Sequence, residues 1–159
     1  MKTFSRVAIV VGLFLAMGIT SIALAEEQTA DNMQIVRDKI QADKKLFIAE
    51  NMNLTEKEAK AFWPVYASYQ KELMKLNDRS VKLIQDYADN AAQMTDAAAK
   101  KLVDDFLTIE GDRQKLRHSY LPKVAKVLPY TKVMRYYQLE NKIHAAVSYD
   151  LARQIPLAK

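Results

Sequence analysis

The sequence predicts an all-α protein: four long, partly kinked helices forming an antiparallel helical bundle or hairpin cradle after a signal peptide. Three observations carry this reading. Beyond residue 25 there is one glycine, Gly111, and four prolines, Pro64, Pro122, Pro129 and Pro156. The tight turns of a β-sandwich or α/β domain therefore lack the residues that make them. Ala, Leu, Lys, Gln and Glu are plentiful, and all are good helix formers. Apolar residues also recur at alternating steps of four and three, the spacing of helices packed side by side.

The first 25 residues form a separate segment. Lys2 and Arg6 precede an apolar run from Val7 to Leu24, which closes in Ala23-Leu24-Ala25 before Glu26-Glu27. A basic start, an apolar middle and an Ala-x-Ala site are the three parts of a secretory signal peptide. Cleavage after Ala25 and a periplasmic location are expected; an uncleaved membrane anchor is the alternative, since the run is about long enough to span. Residues 26–159 then form a single helical domain. There is no cysteine, which excludes disulfides, thiolate metal sites, covalent c-type haem and a cysteine-linked lipid. The net charge is +5, of which Lys2 and Arg6 supply +2, leaving +3.

The elements follow in order. A first helix spans 31–50, with Met33, Val36, Ile40 and Phe47 on one face. Asn51-Met52-Asn53 stops it, because asparagine tolerates the left-handed conformation. Thr55-Glu56-Lys57-Glu58 is a capping box that opens a second helix over 56–87. Its seam reads Phe62, Tyr66, Tyr69, Leu73, Leu76, Ser80, Leu83 and Tyr87, broken only by Ser80. Pro64 is expected to kink it, since the ring clashes with the Lys60 carbonyl. Thr95 caps a third helix, with Asp96 in its first turn. Leu102, Phe106, Ile109, Arg113, Leu116 and Tyr120 form its seam, and Pro122 kinks or ends it. Pro129 opens a fourth helix to about Arg153, with Val133, Tyr137, Ile143, Val147 and Leu151 inward. A weak echo links two of these starts: Leu54-Thr55-Glu56-Lys57-Glu58 precedes Phe62-Trp63 as Leu128-Pro129-Tyr130-Thr131-Lys132 precedes Tyr136-Tyr137. Repetition and convergent capping both account for it.

Charge is unevenly placed. Asp86 to Asp112 holds seven acids against Lys100 and Lys101; Arg113 to Leu139 holds seven bases and no acid. Arg113, Arg117, Lys123, Lys126, Lys132 and Arg135, interleaved with Tyr120, Tyr130 and Tyr136, form a candidate surface for protein clients or an anionic membrane. The alternative is a solvated face that balances the acidic block. Catalytic motifs are missing: no Gly-x-Ser-x-Gly elbow and no phosphate-binding glycine loop is present. No enzymatic activity and no cofactor are expected. His118 and His144 are the only histidines. Glu140 and His144 share a helical face and are the weak metal candidates, but no second matched pair completes a di-metal site. A non-covalent haem held by Met33 and His144 is the other carrier reading.

Leu54, Thr55 and Glu58, at the start of a helix in an exported, cysteine-free, four-helix chain, resemble the Leu-Thr-x-x-Gln motif of the Spy/CpxP-like superfamily of periplasmic stress proteins. Glu58 stands in place of Gln. In the second motif position Pro129 replaces Thr and Lys132 replaces Gln. The resemblance implies an ATP-independent chaperone, a stress-signalling regulator or a metal-resistance accessory. Chaperones of this kind present basic and apolar side chains from a cradle of long helices. The histidine-rich terminal segments of zinc-binding relatives are missing here, which favours the chaperone or sensor branch. The expected partners are unfolded or envelope protein clients, an anionic membrane surface and a second copy of the chain, with no nucleic acid. A structural subunit of an envelope complex is a further alternative.

Overall fold

The computed structural model describes residues 25–158, with side chains from 38 onward. The expected signal peptide therefore lies outside the described residues, apart from Ala25, as do the side chains of Met33 and Val36. Four helices account for almost all of the described chain: α1 Ala25–Met52, α2 Glu56–Asn90, α3 Asp96–Ala125 and α4 Tyr130–Gln154. A short 3-10 turn, Ala91–Gln93, links α2 to α3. The protein is all-α, as the sequence predicts, and no strand occurs among the described residues.

The helix boundaries follow local chemistry. Asn53 takes a positive φ of 48° at the end of α1, the backbone state that asparagine tolerates. Thr55 caps α2: its Oγ1 accepts from the Glu58 amide, and Glu58 Oε2 accepts from the Thr55 amide at 2.7 Å. Thr95 Oγ1 accepts from the Ala98 amide at 3.2 Å, fixing the start of α3. Pro64 does not interrupt α2. It and Lys60 are exposed, so the carbonyl deprived of its amide lies on the solvent side of the helix, where water can satisfy it. Pro122 is likewise exposed, and α3 runs on to Ala125 before the chain turns.

The described residues fall into two compact units, one ending at residue 51 and one beginning at residue 52. In the first, Ile40 and Leu46 of α1 are exposed. Ile40 thus departs from the inward position that its spacing suggests.

The second unit contains α2, α3 and α4. Helices α2 and α3 pack antiparallel: Tyr69 meets Tyr120 with ring centroids 5.3 Å apart, and Arg79 meets Asp112 at 2.8 Å further along. Helices α2 and α4 run parallel, from the Glu58–Lys132 ion pair through Phe62–Tyr136 to Tyr87, whose Oη donates to the Pro156 carbonyl at 2.8 Å. No Cα of α4 comes within 8 Å of one in α2; aromatic rings bridge the gap. Phe62, Tyr66, Tyr69, Leu73, Leu76, Ile109, Tyr120, Val124, Val133, Tyr136 and Leu139 form the core.

Two seams depart from their sequence reading. In α4 the buried residues are Val133, Tyr136, Leu139 and Glu140, not the Tyr137 and Val147 that the spacing favours. Val147 is 47% exposed. In α3, Phe106 is 53% exposed, although Ile109 one turn later is buried. The spacing identifies a face, but burial along it also needs a neighbouring helix at the same level.

Candidate functional site

The structure divides the basic run into two groups. Arg113, Arg117 and Lys132 are tied into the fold. The Arg113 side chain is only 12% exposed. It donates to Asn77 Oδ1 at 3.0 Å and to Ser80 Oγ at 3.3 Å, with Glu110 beside it at 3.4 Å. Arg113 and Ser80 are the polar residues of their respective seams, and they meet each other. Arg117 offers its carbonyl to the Tyr137 hydroxyl at 2.8 Å, while its guanidinium lies beside Tyr69. Lys132 pairs with Glu58 and donates to the Asn53 carbonyl at 2.8 Å. These three cations position helices rather than offer free charge.

Lys123, Lys126 and Arg135 are exposed. The Lys123 ammonium sits 4.0 Å above the Tyr120 ring, a cation–π contact. Tyr130 and Met134, one turn apart at the start of α4, are also exposed. The tyrosines differ from expectation. Tyr120 is buried, with its hydroxyl 2.8 Å from Ser68 Oγ. Tyr136 is 2% exposed at the centre of the aromatic core. Neither presents a face to a partner in the folded state, because both fill the space between helices.

The two echoing helix starts lie side by side. Thr55 is the N-cap of α2 and Pro129 the N-cap of α4. Glu58 and Lys132, 74 residues apart and in matching motif positions, form the ion pair. Phe62 and Tyr136 share that offset and meet edge to face at 5.2 Å. Leu128 is buried and Leu54 half-buried. The Lys132 hydrogen bond, followed by the Thr55 amide, holds the Glu58 carboxyl down at about 2. Lys132 at the second motif position therefore has a structural reason: it neutralises the carboxylate of the first.

A polar group is buried inside the aromatic cluster. Glu140 is 5% exposed, and its Oε1 accepts from Gln70 Nε2 at 3.1 Å. Tyr66, Tyr69 and Tyr136 surround it. Burial, reinforced by the Glu140 charge, raises the hydroxyl pKa of all three, that of Tyr69 to about 12. The Tyr136 Oη is buried without a hydrogen-bond partner. Sequence reasoning marks Glu140 only as a metal candidate with His144. In the structure Glu140 turns toward Gln70, and His144 Nδ1 lies 3.5 Å from Ser148 Oγ. No cluster of three or more His, Cys, Asp or Glu residues suited to a metal occurs among the described residues. The signal for the buried site was present in the sequence: Tyr136 and Glu140 are four residues apart, hence on one face.

At the far end of this unit the apolar surface is open. Val103, Phe106 and Leu107 of α3 are exposed, as are Val147 and Tyr149 of α4. Leu83, Ile84 and Tyr87 of α2 are half-buried. Lys100–Asp104 and Lys101–Asp105 ion pairs lie among the exposed α3 residues. The outer face of α3 also bears a shallow depression lined by Asp104, Leu107, Thr108, Gly111, Asp112 and Lys115. No family model matches the chain, and neither a curated protein nor a solved structure matches it. Among the described residues no helix is long and apolar enough to cross a membrane.

Proposed function

We propose that the chain is a non-enzymatic helical binding protein of the periplasm, chaperone-like or part of an envelope-stress response, of the kind that the Spy/CpxP-like resemblance implies. The observation that supports this reading best is the exposure of large apolar side chains, Val103, Phe106 and Leu107 on α3 and Val147 on α4. Phe106 and Val147 belong to the packing faces of their helices and yet lie open. Non-polar side chains of this kind hold exposed apolar segments of an unfolded client by burying area from water. Lys123, Lys126 and Arg135 add exposed positive charge at the other end of the unit, which speeds the approach of acidic clients.

The test is suppression of aggregation of a chemically denatured client by the purified protein. Phe106→Asn combined with Val147→Asn is expected to abolish most of the protection while the helical circular dichroism stays unchanged. Lys123→Gln, Lys126→Gln and Arg135→Gln together are expected to slow association at low salt, with the difference vanishing at high salt. If the wild-type chain fails to protect any of several clients, the reading falls. The carrier alternative, which relies on His144, predicts instead a bound metal or a haem absorption band in protein isolated from cells.

A further inference from the structure

We propose that two copies of this chain pair antiparallel through the outer face of α3, with their backbones crossing at Gly111. The pairing does not depend on the function proposed above. Gly111 is the only glycine beyond residue 25, and it stands at the midpoint of α3. Glycine inside a helix is less stable than alanine, because it has more conformational freedom to lose. Its φ is not positive, so no special backbone conformation calls for it. A Cβ at this position would meet no neighbouring helix or side chain within 4 Å. The fold of one copy therefore supplies no reason for the glycine. It sits in a shallow depression on the solvent face of α3, lined also by Asp104, Leu107, Thr108, Asp112 and Lys115. A missing side chain at that point lets a second helix approach closely.

Charge complementarity identifies the occupant as a second copy. Along α3 the charge reverses at the glycine. Residues 96–110 carry Asp96, Asp104, Asp105 and Glu110 against Lys100 and Lys101, a net −2. Residues 112–126 carry Arg113, Lys115, Arg117, Lys123 and Lys126 against Asp112, a net +4. An antiparallel partner sets each half against its opposite, whereas a parallel one would set like against like. A two-fold axis at Gly111 makes the contact self-complementary and closed. Helical periodicity puts Asp104 and Lys115, on either side of Gly111 in the chain, on the same flank of the exposed face. The axis then brings Asp104 of each copy within a turn of Lys115 of the other. Leu107, which is 60% exposed, lies on the opposite flank, where the other copy covers it. Little is lost on pairing. Asp104 is bound to Lys100 of its own helix, and Lys115 lies 3.3 Å from Asp112; both are surface ion pairs of small worth. Thr108 Oγ1 donates to the Asp104 carbonyl at 2.7 Å, so its hydroxyl enters the interface already paired.

Sedimentation of the purified chain over a concentration series tests this. The wild type is expected to show a reversible monomer–dimer equilibrium. Gly111→Leu is expected to weaken dimerisation by about tenfold or more. Its helical circular dichroism and its thermal midpoint in dilute solution are expected not to fall, since leucine favours a helix and meets open space in the monomer. Lys115→Asp and Asp104→Lys are each expected to weaken the dimer by about tenfold at low salt, and the two together to regain most of the affinity, because the cross-pair is rebuilt with its signs exchanged. The absence of cysteine allows a direct measure of orientation. A single spin label on Lys100→Cys is expected to lie about 33 Å along the helix axis from its counterpart, at about 1.5 Å per residue; a parallel pair would hold the labels within about 10 Å. A chain that stays monomeric at every concentration would overturn the proposal. So would a dimer indifferent to Gly111→Leu, a double charge exchange that regains nothing, or a short distance between the labels.

Discussion

The end of the bundle where α2 and α4 begin and the far end, where Phe106 and Val147 lie, use the same kind of periodic sequence and reach different outcomes. At the first, Phe62 and Tyr136 interlock edge to face, Leu128 and Val124 are buried, and Glu58 and Lys132 close the rim. At the second, side chains on equivalent helical faces are about half exposed. At the first end three helices meet, with Tyr69 packed against both Tyr120 and Tyr136, although the backbones of α3 and α4 approach each other closely at few places. A seam residue is buried only where a third helix closes over it. This teaches that the apolar stripe is a capacity for burial, which the protein uses fully in one region and leaves available in the other.

The largest expected effect tests that contrast directly. Phe62→Ala removes a fully buried ring and is expected to cost about 3–5 kcal/mol in denaturant unfolding. Phe106→Ala, at a half-exposed ring, is expected to cost less than about 1 kcal/mol. Equal losses would erase the distinction between the two regions. Next come the caps. Thr55→Ala is expected to cost about 1–2 kcal/mol and Thr95→Ala about 0.5–1 kcal/mol, measured as denaturant midpoints with a common slope. The order follows from geometry: Thr55 belongs to a reciprocal box whose Glu58 also holds Lys132, while Thr95 caps alone. The reverse order would mean that the box and the ion pair work independently.

Two neighbouring tyrosines sharpen the comparison within the closed region. Tyr137→Phe loses the hydrogen bond to the Arg117 carbonyl and is expected to destabilise by about 1 kcal/mol. Tyr136→Phe loses only an unpaired buried hydroxyl and is expected to stabilise by about 1 kcal/mol. Thermal unfolding of both variants beside the wild type decides between opposite signs. The smallest effect is a pH dependence. The Glu58 carboxyl is lowered from 4.5 to about 2 by its Lys132 and Thr55 hydrogen bonds. Its contribution to stability is therefore fully present above about 4.5 and is lost as pH falls toward 2. Glu58→Gln is expected to flatten that part of the stability profile, and an unchanged slope would place the ion pair outside the energetics of the closed end.

The helix starts were legible because capping is local. Thr55, Glu58 and Thr95 act on amides within three residues, so the sequence alone contains both partners. The echo between Leu54–Glu58 and Leu128–Lys132 was also visible, but its meaning was not. Only the parallel packing of α2 and α4 reveals that the fourth residue after each leucine meets its counterpart as an ion pair. The basic run was legible as charge and not as a site. Arg113, Arg117, Lys132, Lys123, Lys126 and Arg135 look alike in the chain, since a cation is ordinarily solvated. Whether one is exposed depends on the helix opposite, and for Arg113 the space comes from Ser80 and Asn77.

By itself, the sequence determined the all-α class, the number of helices, their caps and the aromatic face of α2. Each of these depends on interactions between residues a few positions apart, or on the near absence of glycine. The tertiary structure decided which turn of α4 faces inward, so that Tyr136 and Glu140 are buried rather than Tyr137 and Val147. It also decided which cations are exposed and where the apolar seam stays open. Those outcomes depend on distances between helices, and helical periodicity fixes the direction in which a side chain points without fixing what stands opposite it.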